Sequence, residues 1–321
     1  MHSFEELSEL FKDKFEVNHF PSYPSTLYEP AEYFLTSSGK RIRPVMCLMA
    51  NELFGDVNPD AYHVAAAVEL FHNFTLIHDD IMDKAPLRRG RQTVHARYGE
   101  PTALLAGDVM LVVAYDYLNK IRKDYLHDIL QLFNRTAREV CEGQQIDMDF
   151  ENMVQVMLPE YIKMIELKTS VLLAASLQLG AILGGAGKGN QHHLYEFGRN
   201  LGIGFQVQDD FLDAFGDPEK FGKQQGGDIL ANKKTFLMIK ALEVADDGQL
   251  KEMRQLMSEN MPDKVERTIK IFKNCGVDEW AVELKEKYIN TAFQHLEDIA
   301  VSSSRKEPLK KLAMFMVQRE H

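Results

Sequence analysis

A chain of 321 residues with a net charge of −11 lacks the basic excess that a nucleic-acid or acidic-membrane surface requires. Hydrophobic residues make up 45% and charged residues 26%, a balance that suits a large buried core. Cys47, Cys141 and Cys275 are widely spaced and form no CxxC, so they read as reduced thiols of a cytoplasmic protein, not as a disulfide or zinc framework.

The acidic, amphipathic start MHSFEELSELFKDKF is unlike a signal peptide. Helical periodicity then runs through the chain, and no alternating strand run flanked by hairpin turns interrupts it. Helices are expected near 4–17, 27–37, 42–54, 59–83, 101–121, 125–148, 159–183, 190–214, 233–245, 248–258, 262–275, 278–300 and 305–318. Pro21, Pro24, Gly39, Gly99 and the glycines of 184–189 and 216–227 supply the breaks. No break is long enough for a linker, so residues 1–321 read as one all-α domain. The most apolar stretch, 169–187, contains Ser170, Ser176, Gln178 and several glycines and reads as a core helix, with no membrane span.

In chain order, the first candidate site is Gly39-Lys40-Arg41-Ile42-Arg43-Pro44, a cationic turn at a helix start that reads either as an anion site or as a solvated loop. His72 lies on the next helix, on the face of Asp79 two turns later, and reads either as a hydrogen-bonded core histidine or as part of a site. There Phe74-Thr75-Leu76-Ile77-His78-Asp79-Asp80-Ile81-Met82-Asp83 sets acids at i, i+1 and i+4 in an apolar run. Asp79 and Asp83 share a helix face and repel each other, which calls for a hard divalent cation such as Mg²⁺. Arg88 and Arg89 follow in a Pro- and Gly-bracketed loop, with forked donors suited to phosphate oxygens.

The polar run Gln144, Gln145, Asp147, Asp149 and Glu151 ends another helix and reads either as a solvated end or as a set of side chains partly facing a cavity. Lys168 and Thr169 open an apolar run, where a lone cation is expensive unless an anion such as phosphate meets it. Gly184 to Gly189 imitates a phosphate loop, but the spacing and the missing Ser or Thr make it a turn. Gly202-Ile203-Gly204-Phe205-Gln206-Val207-Gln208 then leads into Asp209-Asp210-Phe211-Leu212-Asp213, a second acidic set in the register of the first. Cations follow it again: Lys223 in a glycine-rich loop, and Lys233 at the start of the next helix.

GKRIRP, LIHDDIMDKAPLRRG, KTS, GFQVQDDFLD and GKQQGGDILANKKT, in that order, resemble the trans-isoprenyl diphosphate synthases along essentially the whole chain. The resemblance implies the isoprenoid synthase type I orthogonal helical bundle, with a central cavity whose mouth is faced by the two aspartate-rich helices. It also implies a homodimer. By the same resemblance, Asp79, Asp83 and Asp209 hold three Mg²⁺ ions on the allylic diphosphate, supported by Asp80, Asp210 and Asp213. Arg88, Lys168 and Lys223 grip that diphosphate, assisted by Lys233. Lys40, Arg43, His72 and Arg89 take isopentenyl diphosphate, while Gln206, Thr169 and the Lys168 carbonyl face the reacting carbons.

The activity so implied is Mg²⁺-dependent 1′-4 condensation of isopentenyl diphosphate with dimethylallyl, geranyl or farnesyl diphosphate. The departing diphosphate takes the proton in this family, and this chain offers no strong side-chain base in its place. Phe71, Phe74 and Thr75 correspond to the chain-length floor. Phe74 beside a small Thr75 resembles the C20-forming pattern, so geranylgeranyl diphosphate is the expected product and farnesyl diphosphate the nearest alternative. A longer-chain synthase stands further off. A type I terpene cyclase would carry a mixed Asn/Ser/Glu second motif where this chain has DDFLD.

Overall fold

The computed structural model describes residues 1–36, 39–217, 225–259 and 261–317, and helix dominates them. In chain order the helices are α1 (Phe4–Phe15), α2 (Ser25–Leu35), α3 (Ile42–Glu52), α4 (Pro59–Met82), α5 (Val94–Tyr98), α6 (Glu100–Leu118), α7 (Lys123–Asn152) and α8 (Leu158–Ile165). They continue with α9 (Val171–Leu183), α10 (Lys188–Phe215), α11 (Gly227–Leu230), α12 (Phe236–Val244), α13 (Asp247–Ser258), α14 (Lys264–Asn274), α15 (Val277–Glu297) and α16 (Ser303–Val317).

The chain divides into two compact units, each assembled from separate stretches. The first takes Met1–Arg135, Ala175–Tyr195 and Ile299–Leu309. Its core rests on α3, α4 and α6, whose buried faces are rich in Ala, Val, Leu and Met. Asn58 caps α4 by accepting from the Asp60 N–H, and Pro59 opens the helix where a missing N–H does no harm. Gly180 lets two backbones touch, because a Cβ there would lie 1.9 Å from the Cys47 carbonyl oxygen. That contact is sealed by Asn51, whose amide donates to the Gly180 carbonyl at 3.1 Å.

The second unit takes Thr136–Ala174, Glu196–Asp298 and Lys310–His321. Its core gathers Tyr161, Val207, Phe236, Leu256, Phe272 and Val277 among other buried apolar side chains.

Most expected helices are present within a few residues, and four differences matter. Leu87–Arg88 and Arg91–Gln92 form an antiparallel two-stranded hairpin, β1 and β2, inside the expected loop. Arg89 and Gly90 make its tight turn with φ of +52° and +74°, a primed-type pairing that matches strand twist. The expected helix 159–183 is broken at Glu166–Ser170 by one turn of π-helix. Helix α7 reaches Asn152, so the polar run from Gln144 is helical throughout. Lys233 precedes α12, which starts at Phe236 with Thr235 as its cap, so it does not open that helix.

Two segments, Glu100–Leu118 and Leu158–Leu183, have the length and apolar content of membrane helices. The second is 78% buried inside the protein, as a core helix is. The first is only 44% buried and exposes Leu104, Leu105 and Val112.

Candidate active site

The first acidic set occupies the C-terminal end of α4. Asp79 and Asp80 lie in its last turn, and Asp83 is the C-cap. A helix C-terminus already carries partial negative charge, and α4 has no basic residue in its last turn to offset it. The charge is met from the hairpin. Arg88 donates from Nε to Asp80 Oδ1 at 2.8 Å and from Nη2 to Asp79 Oδ2 at 3.3 Å. Asp80 is 1% exposed, and its Oδ2 is buried with no hydrogen-bond partner among the described residues. Burial pushes the Asp80 carboxyl above the usual carboxylate range, and Arg88 pulls the other way.

Helix α4 ends in a turn whose φ at Lys84 is +50°, with Ala85 N–H bonded to the Asp80 carbonyl. A lysine thus holds the left-handed position that glycine usually fills. The hairpin is pinned on its other side by Tyr33. Its ring lies 4.2 Å from the Arg91 guanidinium and 4.4 Å from that of Arg97, and its hydroxyl donates to the Gln92 carbonyl.

The second acidic set repeats this placement at the end of α10, another helix with no basic residue in its last turn. Asp210 is buried and receives Gln206 Nε2 at 2.9 Å and the Tyr161 hydroxyl. Burial pushes its pKa up to about 7, against the Tyr161 and Gln206 hydrogen bonds. Asp213 Oδ2 accepts the Asp228 backbone N–H at 3.0 Å, and Asp228 in turn pairs with Lys233 at 3.2 Å. Gln206 therefore holds Asp210, one turn on, while Asp209 is half-buried beside it.

The π turn places Lys168 and Thr169, both half-buried, in this unit. It is wedged between two glycines: a Cβ on Gly143 would come within 2.3 Å of the Lys168 nitrogen, and one on Gly202 within 2.8 Å of Ser170. Single π turns inside α-helices frequently mark functional positions. Lys168 Nζ donates to Asp147 Oδ2 at 2.6 Å. Asp147 therefore supplies an anion for Lys168 besides the phosphate that the sequence suggests, so its run is more than a solvated helix end.

Arg43 of the cationic turn meets His72. Arg43 Nη1 donates to His72 Nε2 at 3.1 Å, while the Arg43 Nε–H is buried without a partner among the described residues. Burial holds the His72 pKa well below its ordinary value, and Arg43, Arg89, Arg88 and Arg41 add to the effect, so the ring is neutral and accepts. Arg89 lies against Gly39, where an added Cβ would stand 2.9 Å from its Nη1. Lys40 is exposed and borders a cavity of about 610 Å³ lined also by Phe11, Phe15, His19 and Leu35. Lys223 lies outside the described residues.

Phe71 is buried on α4, its ring 5.7 Å from Phe74 and 5.4 Å from Phe133. Phe74 is half-buried and meets His78 edge-on at 4.7 Å. The Thr75 hydroxyl donates back to the His72 carbonyl at 2.8 Å.

In each set the donor chemistry fits a hard divalent cation: carboxylate oxygens in excess at a helix C-terminus, and in the first set a buried Asp80 oxygen without a hydrogen-bond partner among the described residues. The Arg43 and Arg89 guanidiniums beside a neutral histidine fit an oxyanion.

The chain belongs to the polyprenyl synthetase family, whose model matches residues 24–274, and with its helical fold it is an all-α prenyltransferase. It is 39% identical over 313 residues to the geranylgeranyl diphosphate synthase of Saccharolobus solfataricus, covering 95% of this chain and 94% of that one. It is 38% identical over 299 residues to the short chain isoprenyl diphosphate synthase of Methanothermobacter thermautotrophicus, covering 93% and 92%. Among solved structures, a geranylgeranyl pyrophosphate synthase superposes over 100% of both chains with a TM-score of 0.94 at 39% identity.

Proposed function

We propose that the protein condenses isopentenyl diphosphate with an allylic diphosphate and releases geranylgeranyl diphosphate as its main product. The observation that carries the reading is the repeated acidic set, placed both times at a helix C-terminus that has no cation of its own. Asp79, Asp83 and Asp209 hold Mg²⁺, with Asp80, Asp210 and Asp213 in support. When bound, Mg²⁺ neutralises the charge that develops on the leaving diphosphate.

The protein's own residues do the rest. Arg88, Lys168, Lys223 and Lys233 grip the allylic diphosphate, and the Asp147 contact keeps Lys168 extended before substrate arrives. Arg43, His72, Arg89 and Lys40 take the diphosphate of isopentenyl diphosphate; the neutral His72 ring orients Arg43 without competing for charge. Thr169 and Gln206 face the reacting carbons. Apolar walls exclude the water that would quench an allylic cation. Phe71, Phe74 and Thr75 limit chain growth.

The relatives named as geranylgeranyl diphosphate synthases support the C20 product. The free thiols of Cys47, Cys141 and Cys275 suit the cytoplasm. The exposed apolar stripe of Leu104, Leu105, Val112 and Tyr115 on α6 supports a homodimer through that helix, which sedimentation velocity with Val112→Lys tests.

Diphosphate release from farnesyl diphosphate tests the reaction class. Release is expected only when both Mg²⁺ and isopentenyl diphosphate are present. Release from farnesyl diphosphate alone, with a cyclic hydrocarbon formed, would make the protein a cyclase.

A further inference from the structure

Glu69 is a carboxylate in a place built for anions. It sits on α4 one turn before His72 and is 4% exposed. A negative charge buried there opposes the binding of any diphosphate, so its presence needs a reason. Its contacts supply one. Glu69 Oε1 forms an ion pair with Arg41 Nη1 and receives Asn73 Nδ2 at 2.8 Å. Asn73 also donates to the Glu69 carbonyl at 2.7 Å, which fixes the pair along the helix.

Arg41 in turn ties three elements together. Its Nη2 donates to the Leu35 carbonyl at the end of α2 at 2.7 Å, its backbone caps α3, and its guanidinium lies 5.3 Å from the Phe15 ring of α1. The backbone at Arg41 is left-handed, with φ of +49°, a strained position for a side chain other than glycine. Such a conformation persists when its surroundings over-determine it, and the charge-assisted Glu69 pair is one of the contacts that do so.

The segment so held, 39–43, positions the anion-binding groups. Arg43 reaches His72 from one end of it, and Gly39 at the other end makes room for Arg89. Burial disfavours the charge on both Arg43 and Arg89, and Glu69 is the first group that counters this in each case.

We propose that Glu69 is a positioning residue: through Arg41 it locks segment 39–43 so that Arg43, His72 and Arg89 stay converged for the diphosphate of isopentenyl diphosphate. This rests on reading that cluster as the isopentenyl diphosphate pocket. Glu69 does not touch substrate; it acts through the arginines.

Steady-state kinetics with isopentenyl and farnesyl diphosphates varied separately test the proposal. Glu69→Gln keeps the shape and removes the charge. It is expected to raise KM for isopentenyl diphosphate about tenfold, the scale of one lost charge-assisted bond, while KM for farnesyl diphosphate stays within about twofold. Glu69→Asp should recover part of the loss. Where Glu69→Gln does not fold, Arg41→Lys, which keeps a charge but cannot bridge Glu69 and Leu35, should show the same split.

Arg43→Ala is the control for the pocket itself. If it raises KM for isopentenyl diphosphate while the Glu69 and Arg41 variants leave it unchanged, or change both KM values alike, the positioning role is wrong. If Arg43→Ala leaves that KM unchanged, the pocket reading falls, and this proposal with it.

Discussion

Gly107 on α6 stands where no side chain fits against His78: a Cβ there would lie 2.4 Å from the His78 Nε2 and 2.5 Å from its Cδ2. The ring is trapped, with Nε2 bonded to the Leu104 carbonyl at 3.1 Å and the Phe74 ring in a T-shaped contact 4.7 Å away. Gly107→Ala must therefore push His78, and His78 must push Phe74. The variant should lose about 1–3 kcal/mol of stability from overpacking, read as a lower Tm. Its product distribution should also shift, and adding His78→Ala should restore the Tm. A Tm equal to that of the unsubstituted protein would show that the helices separate freely at this point.

Phe74 is the residue on which the product-length reading depends. Phe74→Ala opens space beside Phe71 and His78, and longer prenyl diphosphates should accumulate when labelled isopentenyl diphosphate is incorporated. An unchanged product would remove Phe74 from the floor.

The Lys168–Asp147 pair predicts graded losses. Lys168→Ala removes a cation from the allylic diphosphate and should lower kcat/KM roughly 10- to 100-fold, the scale of one or two charge-assisted bonds. Asp147→Asn leaves the lysine in place and loosens it, so its loss should be smaller. Equal losses from both would mean that Asp147 acts on the chemistry directly.

His19 gives the pH prediction. It lies between Phe15, Phe20 and Tyr117, with Nδ1 2.9 Å from the Tyr117 hydroxyl. Burial lowers its pKa to about 4, partly offset by a backbone hydrogen bond at Phe15, while Lys120 and Arg41 lower it further. The unfolded chain takes up this proton near pH 6.5 and the folded one does not. Stability should therefore fall as pH drops from about 6.5 toward 4. His19→Asn keeps a partner for Tyr117 and removes the titration. Its Tm should change less between pH 7.5 and 5 than that of the unsubstituted protein; an identical change would exclude His19 as a contributor.

Much of this was legible in the sequence because charge in an apolar helical run leaves few explanations. Asp79 to Asp83, Asp209 to Asp213 and Lys168 carry that signal, whereas the grouping of Arg43 with His72 is legible only through the family resemblance. The hairpin did not, since two-residue strands fall below any periodic pattern and Arg89 occupies a turn position where glycine or asparagine would have announced it. The π turn also escaped, because one extra residue per turn shifts periodicity too little to register within an apolar run. Asp147 looked like surface because its partner is remote in sequence. Glu69 could have been found: it is a lone acid in Ala65-Ala66-Ala67-Val68-Glu69-Leu70-Phe71, and the same test that singled out Lys168 applies to it.

The central claim is tested most directly by the purified protein with Mg²⁺, farnesyl diphosphate and labelled isopentenyl diphosphate, the products dephosphorylated and sized by mass spectrometry. Geranylgeraniol as the dominant alcohol is the predicted result. Incorporation of isopentenyl diphosphate with no C20 alcohol would contradict the product, and no incorporation at all would contradict the condensation itself.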